Sequence, residues 1–454
     1  MVKVTEEQTK AVEDYEKTLE RWLGDISEED IAKVLEKLKQ WEKLPYPGLL
    51  NLYLDLCTHC GACAKECPIY KAYPKKEFNP AYRAKLLRSV YLRHLTQRGK
   101  IFKGLVGAKK LDRKMLKEWF KRFYECTMCR RCAVFCPFGV DNMAIVRTGR
   151  VLMSDALGKT TPDMARGVTS HLRYGNASEM KETAFRHIVG FWEEEIKEKK
   201  GWEVKVPIDK VGAEMYLIPT NTDYFHSLET MEGIAATLYA AKADWTISSR
   251  MFDSVNYGVF YDDDAWEKIA RMQIEEAKRL KCKTLVLGEC GHANKSLMFL
   301  APSLLGPPPF EVKSILQVTA DYIKQGKIKL DKEANPEPVT YHDPCNLSRM
   351  SGIIEEPRII LKAACKDFRE MVPTRDKNYC CGGGGGVVLE TASHDYRMEV
   401  AGKMKVDQIK QTGAKLVATA CANCKVQLAH LIEYYNLDVR WVGVHDLVLN
   451  ALVL

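Results

Sequence analysis

No run of about 18 uncharged apolar residues occurs in this 454-residue sequence, and even the apolar tail, residues 441–454, is broken by His445 and Asp446. A membrane-spanning helix is therefore not expected. The start, MVKVTEEQTKAVEDYEK, has acids where a signal peptide has an apolar core, and no twin arginine; the expectation is a chain that stays in the cytoplasm. No Cys-x2-Cys-His occurs, which excludes c-type haem attachment. The one glycine run, 382–386, continues Val387-Val388-Leu389-Glu390 with no Lys-Ser or Lys-Thr, so it is not a phosphate-binding P-loop. Disorder is excluded by 46% hydrophobic and 28% charged residues, an ordinary globular balance.

What the sequence has in excess is cysteine, 16 residues. In a reducing compartment these point to metal ligation or redox chemistry rather than to disulfides. Positive charge is concentrated too. Residues 71–122 hold 17 Lys and Arg against three acids, Glu77, Asp112 and Glu118, hence +14; the whole chain is +8, which leaves −6 for the rest.

At about 150 residues per domain the length predicts about three domains. Residues 1–50 read as a helical segment, with apolar residues at Val12, Tyr15, Leu19 and Leu23 and a capping-box pattern at Ser27-x-x-Asp30, ended by Pro45 and Pro47. Residues 51–155 carry two cysteine motifs around a basic, helical YRAKLLRSVYLRHL stretch, and 156–212 form a helical connector. From there β-rich runs (EMYLIP at 214, TLVLG at 284, PVTYHD at 338, KLVATA at 415, VRWVGV at 439) alternate with helical stretches near 264–281 and 395–412. Such alternation predicts parallel α/β units. Residues 218–221 align with 343–346, and 286–294 with 417–425, so 213–335 and 336–454 are expected to be two copies of one unit, the first of which lacks most of the cysteines. The expected fold class is α+β multidomain: a helical two-cluster ferredoxin domain followed by a duplicated α/β region with parallel sheets.

Cys57-x2-Cys60-x2-Cys63-x3-Cys67-Pro68 and Cys126-x2-Cys129-x2-Cys132-x3-Cys136-Pro137 match the bacterial ferredoxin run. Three closely spaced thiolates wrap one cubane and the fourth, redirected by proline, reaches the other. Cys57, Cys60, Cys63 and Cys136 are assigned to one 4Fe-4S cubane, and Cys126, Cys129, Cys132 and Cys67 to the second. A tetrahedral zinc site has no use for the third cysteine or the Cys-Pro.

A second set follows: Cys345, the vicinal Cys380-Cys381 ahead of the glycine run, and Cys421-x2-Cys424. The thiols near predicted strand ends sit where open α/β sheets place their sites. Five thiolates exceed one cubane and suit a larger or distorted cluster, while a vicinal disulfide at Cys380-Cys381 does not suit a reducing compartment. Gly382, Gly383 and Gly384 are read as cofactor-binding, their bare backbone N–H groups able to approach anionic sulfides.

This pattern resembles the CCG domains of heterodisulfide reductases, and with the two ferredoxin motifs the chain resembles their HdrD-like and DsrK-like iron-sulfur subunits over residues 50–454. The resemblance implies that Cys345, Cys380, Cys381, Cys421 and Cys424 hold one noncubane 4Fe-4S cluster that reduces a disulfide or trisulfide in sulfur metabolism, with sulfite reduction as its setting. It also implies a catalytic subunit on the cytoplasmic side of the membrane, peripheral, taking quinol-derived electrons from a haem b subunit (DsrM-like) and acting on a DsrC-like protein. The first repeat departs from the pattern. Thr220 stands for the leading cysteine, no Cys-Cys occurs at Asn256-Tyr257, and only Cys290 remains in Glu289-Cys290-Gly291-His292. Cys290 and His292 are expected opposite the cluster, with histidine as proton donor; His342 and Glu289 are further candidates. Cys282 and Cys365 are read as structural thiols.

Three readings of function stay open: the Dsr-type reductase subunit or a heterodisulfide reductase proper; an iron-sulfur subunit of a glycolate, lactate or glycerol-3-phosphate dehydrogenase complex, which would carry flavin; and a non-catalytic wiring subunit. The basic segment, residues 71–122, is read either as a solvated helical face or as a surface that docks on an acidic or membrane partner or on anionic lipid; nucleic-acid binding is not expected, since sequence-specific motifs are absent.

Overall fold

A computed structural model of the chain describes residues 4–454. They cluster into two compact units. The first holds the chain up to Ala165 with Phe260–Asp263 and Tyr379–Lys405; the second holds Arg166–Val259, Asp264–Asn378 and Val406–Leu454. The stretch 336–454 is thereby shared between the units, because the segment carrying Cys380, Cys381 and the glycine run clusters with the helical part.

The first unit is helical because its apolar residues recur at helical spacing and its helix starts are capped. α1 (Glu6–Leu23) buries Ala11, Val12, Tyr15, Leu19 and Leu23 along one face and opens on a capping box of Thr5 with Gln8. α2 (Glu28–Lys39) opens on the Ser27–Asp30 box expected from sequence. Pro47 does not end a helix; it is the first residue of α3 (Pro47–Leu56), where its missing N–H costs nothing. Then come α4 (Ala62–Glu66), α5 (Pro68–Ala72), α6 (Pro80–Leu95), α7 (Gln97–Phe102), α8 (Arg113–Tyr124), α9 (Arg131–Val134) and α10 (Asn142–Leu157). α10 is buried continuously from Asn142 through Met153 and packs on α2, α6 and α8, around a core that includes Trp119, Phe120 and Phe123.

The second unit contains two four-stranded parallel sheets. β1 (Met215–Ile218), β2 (Trp245–Thr246), β3 (Thr284–Leu287) and β4 (Glu311–Ser314) lie in the order β2-β1-β3-β4. After β5 (Lys329–Leu330), the strands β6 (Val339–Tyr341), β7 (Phe368–Arg369), β8 (Leu416–Thr419) and β9 (Arg440–Gly443) repeat that order as β7-β6-β8-β9. In register Ile218 pairs with Leu287, which pairs with Ser314; Thr340 pairs with Val417, which pairs with Trp441. One order used twice is the duplication seen in the sequence. β10 (Leu452–Val453) pairs antiparallel with β5. The helix expected near 264–281 is Asp263–Arg279, whereas the one near 395–412 is broken by a wide turn of i→i+5 bonds at Arg397–Ala401 before Lys403–Thr412. Among the described residues no helix is long and apolar enough to cross a membrane.

Candidate iron-sulfur and thiol sites

In the first unit the two ferredoxin runs fold alike. Cys57 follows α3, Gly61 in a left-handed conformation opens α4, which carries Cys63, and Cys67 joins α4 to α5 at Pro68. In the second run Arg130, also left-handed, opens α9 with Cys132 inside it. The residue before the second cysteine has positive φ in both, His59 at 57° and Met128 at 51°. Such turns aim successive backbone N–H groups to one side and make a concavity that favours anions.

Two cavities result, and they gather the thiols crosswise. One is lined by Cys57, Cys60, Cys63 and Cys136. The other is lined by Cys67, Cys126, Cys129 and Cys132 together with Arg83. Burial pushes the thiols of Cys63 and Cys67 up to about 11 and that of Cys132 well above its usual range, so they keep their protons until a metal displaces them.

Arg83 tests the fit. It is buried, donates from Nε to Arg122 O at 2.8 Å and from Nη1 to Phe78 O at 3.2 Å, and its Nη2 is buried without a protein acceptor. An unsatisfied guanidinium N–H on the wall of a four-thiol cavity suits a dianionic 4Fe-4S cubane, whose sulfur would accept it. Replacing Arg83 with glutamine removes a positive charge that favours the reduced state. The reduction potential of a 4Fe-4S cluster held here is expected to fall by about 60 mV, the one-electron equivalent of about 1.4 kcal/mol, while that of a cluster in the other cavity stays put in an EPR-monitored titration.

The glycine run packs on the rim of this second cavity. A Cβ at Gly384 would lie 2.4 Å from Thr127 O, and one at Gly385 2.8 Å from Cys126 O, so backbone meets backbone where a side chain has no room. Arg150, fully buried, ties the two together: Nη1 donates to Gly385 O at 2.6 Å, and Nη2 to Cys126 O and Phe123 O, each at 2.8 Å. The backbone N–H of Gly382 donates to Cys380 Sγ at 3.3 Å. Arg397 lies beside Cys381, and burial draws its guanidinium down to about 10 against the pull of that thiol.

In the second unit Cys345 and Cys421 follow the C-terminal ends of the paired parallel strands β6 and β8. Cys345 leads into a wide turn, Asn346–Met350; Cys421 caps the helix Ala422–Tyr434, and Cys424 sits in its first turn. The hydrogen bond from Cys424 holds Cys421 down at about 7 although burial opposes this, as a helix start favours a thiolate. A ring nitrogen of His342 and Cys424 Sγ lie within 4.8 Å of one another, a spacing open to a shared metal.

The first repeat lies on this loop. Ala422 N donates to Glu289 O at 3.0 Å, and a Cβ at Gly291 would be 3.1 Å from Cys421 Sγ. Cys290 is buried, which pushes its thiol far up, and its Sγ is 3.8 Å from His292 Nδ1. His292 is buried against the Tyr257 ring, 5.6 Å between centroids, and burial pulls it down to about 3. At neutral pH it is therefore a neutral imidazole, able to offer an N–H but not the imidazolium that a proton-donating histidine implies. Cys282 and Cys365 are buried thiols away from these loops, as expected of packing residues.

Residues 53–140 match the 4Fe-4S dicluster domain family, and residues 339–429 match the cysteine-rich domain family. Over 450 residues the chain is 30% identical to an Hdr-like menaquinol oxidoreductase iron-sulfur subunit 2 of Archaeoglobus fulgidus, covering 89% of this chain and 80% of the relative. The chain belongs to the Hdr-like iron-sulfur subunit family. It is also 28% identical over 415 residues to a subunit of the dihydromethanophenazine:CoB–CoM heterodisulfide reductase of Methanosarcina mazei, covering 88% of this chain and 94% of the relative.

Beneath the thiols of this Hdr-like chain lies a buried ion cluster that no local pattern announced. Lys425 Nζ is 2.8 Å from Glu289 Oε2, His445 Nδ1 is 2.8 Å from Glu289 Oε1, and Lys425 also donates to Thr230 Oγ1 at 2.6 Å. Burial alone would raise Glu289; the Lys425 cation and His445 instead hold it at about 2. Glu289, a weak catalytic candidate from sequence, is thus an anchor joining the loop after β3 to the helix that carries Cys424.

Proposed function

We propose that the chain is the catalytic iron-sulfur subunit of a membrane-associated electron-transfer complex of the Dsr type, reducing a disulfide or trisulfide with quinol-derived electrons. The observation that carries this reading is the backbone contact of Gly384 and Gly385 with residues 126–127, which sets the Cys380-Cys381 loop against the wall of a cubane cavity. A chain that only bound clusters would not need its vicinal thiols seated on an electron donor.

Cys57, Cys60, Cys63 and Cys136 would hold one cubane, and Cys67, Cys126, Cys129 and Cys132 the other. Cys345, Cys380, Cys381, Cys421 and Cys424 would hold a noncubane 4Fe-4S group. When bound, these groups supply one-electron transfer and a site where sulfur can wait between two electrons. The overall change is R–S–S–R′ plus two electrons and two protons to R–SH and R′–SH. The chain's own residues exclude water around Cys380, Cys381, Cys421 and Cys424, all buried. Cys290 keeps its proton at Sγ beside the Cys421 loop, with the His292 ring behind it, so it offers a neutral S–H there and no additional negative charge. Support for a quinol-type electron source comes from the relatives' names, which pair menaquinol or dihydromethanophenazine with Hdr-type subunits. The partners proposed are a haem b membrane subunit (DsrM-like) and a cysteine-tailed protein substrate (DsrC-like), with the chain peripheral on the cytoplasmic side.

The test supplies the anaerobic holoprotein with a reduced viologen and a disulfide-bearing peptide. Two thiols should appear per disulfide, and Cys381→Ser should lose this while both cubane EPR signals persist. Failure of the wild type to form thiols, with flavin rather than haem b co-purifying, would assign the chain to a dehydrogenase complex instead.

A further inference from the structure

The charge of residues 71–122 is not spread evenly over the folded surface. Arg83 and Arg122 are buried; Arg122 pairs with Glu16, Glu118 and Glu125, Lys121 with Glu16 and Glu20, Arg113 with Glu28, and Arg98 with Asp55. Among the described residues, Lys100, Lys103, Lys109 and Lys110 have no carboxylate partner, and Arg93 donates only to Lys100 O, at 3.3 Å. Lys71, Lys75, Lys76, Lys85, Lys114 and Lys117 likewise show no carboxylate partner, so the unpaired charge extends along the whole segment, and Arg93, Lys100, Lys103, Lys109 and Lys110 are the part of it on and around α7.

The same segment exposes apolar side chains. Leu105 is 90% exposed, Ile101 67% and Phe102 53%, all within ten residues. α3 adds Leu49, Leu52 and Leu56, also exposed and spaced to share a helix face. The Arg98–Asp55 ion pair joins α7 to α3, and Arg88 Nε holds Leu54 O at 2.7 Å.

We propose that this face of the first unit is a lipid-binding surface, which inserts Ile101, Phe102 and Leu105 into the headgroup region of an anionic bilayer while Arg93, Lys100, Lys103, Lys109 and Lys110 meet the lipid phosphates. The occupant follows from the shape of the surface. The apolar residues project from a short helix and its turn instead of lining a groove, and the charge around them is of one sign. That combination matches an interface where apolar side chains enter the acyl boundary and long cationic ones reach back to phosphate. A docked protein would have to supply both a pocket for Leu105 and several carboxylates.

The surface has a consequence for electron entry, which rests on the membrane-associated reading above. Cys57 directly follows α3, and Cys60 is exposed, so the cavity of the first cubane opens beside this face. Lipid binding would hold that cubane at the height where a quinol-oxidising subunit delivers electrons.

The experiment is anaerobic flotation of the holoprotein with vesicles of phosphatidylcholine, with and without phosphatidylglycerol. Flotation should require phosphatidylglycerol, weaken with salt, and drop about tenfold both in Leu105→Asp and in Lys100→Glu/Lys103→Glu, with the cubane signals unchanged. A Leu105→Trp variant should show a blue-shifted emission on vesicles. Wild type that does not float overturns the proposal and leaves a protein partner as the occupant; flotation indifferent to Leu105→Asp overturns insertion. Neither result depends on disulfide reduction, so a failure here is distinct from a failure of the catalytic reading.

Discussion

Replacing Lys425 with methionine lowers the unfolding free energy by about 3–5 kcal/mol. The side chain is 1% exposed and faces Glu289, which has no exposure at all. Removing the cation therefore strands a carboxylate in a dry site that water cannot reach. His445 does not rescue it, because its Nε2 is already engaged with Thr319 Oγ1 at 2.8 Å while Nδ1 serves Glu289. The change should also loosen the start of the helix bearing Cys424, since Lys425 is the next residue and its partner belongs to the loop holding Cys290. The control is the pair Lys425→Met with Glu289→Leu. With both charges gone, most of the lost stability should return, and a double-mutant cycle in denaturant should show strong coupling. Additive costs would mean that the ion pair is not what fastens the two loops.

Gly384→Ala is the second large effect. Gly384 has no positive φ, so alanine meets no backbone penalty there and the test is one of space alone. The added methyl would stand 2.4 Å from Thr127 O, and that oxygen belongs to backbone that cannot swing aside. The expected result is a loss of about 1–3 kcal/mol of stability as the loop lifts away, the usual cost of overpacking. In the holoprotein both cubane signals should persist, since no ligand is touched. Electron delivery to the disulfide substrate should slow severely, because the seat of the Cys380-Cys381 loop has moved. Stopped-flow oxidation of the prereduced protein by a disulfide peptide reads this directly. A rate equal to wild type would show that the close approach serves packing only.

The features legible in the sequence are those that local spacing encodes. Both ferredoxin runs, including their crosswise fourth cysteines, follow from a spacing that a cubane imposes on a continuous stretch, and the two cavities gather the same sets. The duplication is legible because β1, β3 and β8 carry apolar runs of three residues or more and β6 and β9 carry β-branched or aromatic residues. β2 and β7 have two residues each and leave no periodicity to read.

What is not legible depends on contacts distant in sequence. Nothing local says that Tyr379–Lys405 clusters with the helical unit, since the glycine run offers no apolar pattern and its partner is a carbonyl at Thr127. Arg83 reads as part of a basic surface and is in fact a buried donor on a cavity wall. Lys425 and Glu289 lie 136 positions apart and reveal their pairing only in three dimensions. Pro47 reads as a stop because proline both ends a helix and starts one, and only the course of the following residues decides.

The central claim is that the five thiols of the second set hold a third, noncubane iron-sulfur group where the sulfur substrate is reduced. The measurement that tests it most directly is EPR on the oxidised anaerobic holoprotein incubated with its thiol product, taken with an iron determination. The account predicts roughly twelve iron atoms per chain and a new paramagnetic signal that both Cys345→Ser and Cys381→Ser lack. Roughly eight iron atoms per chain and no new signal in the wild type would contradict it.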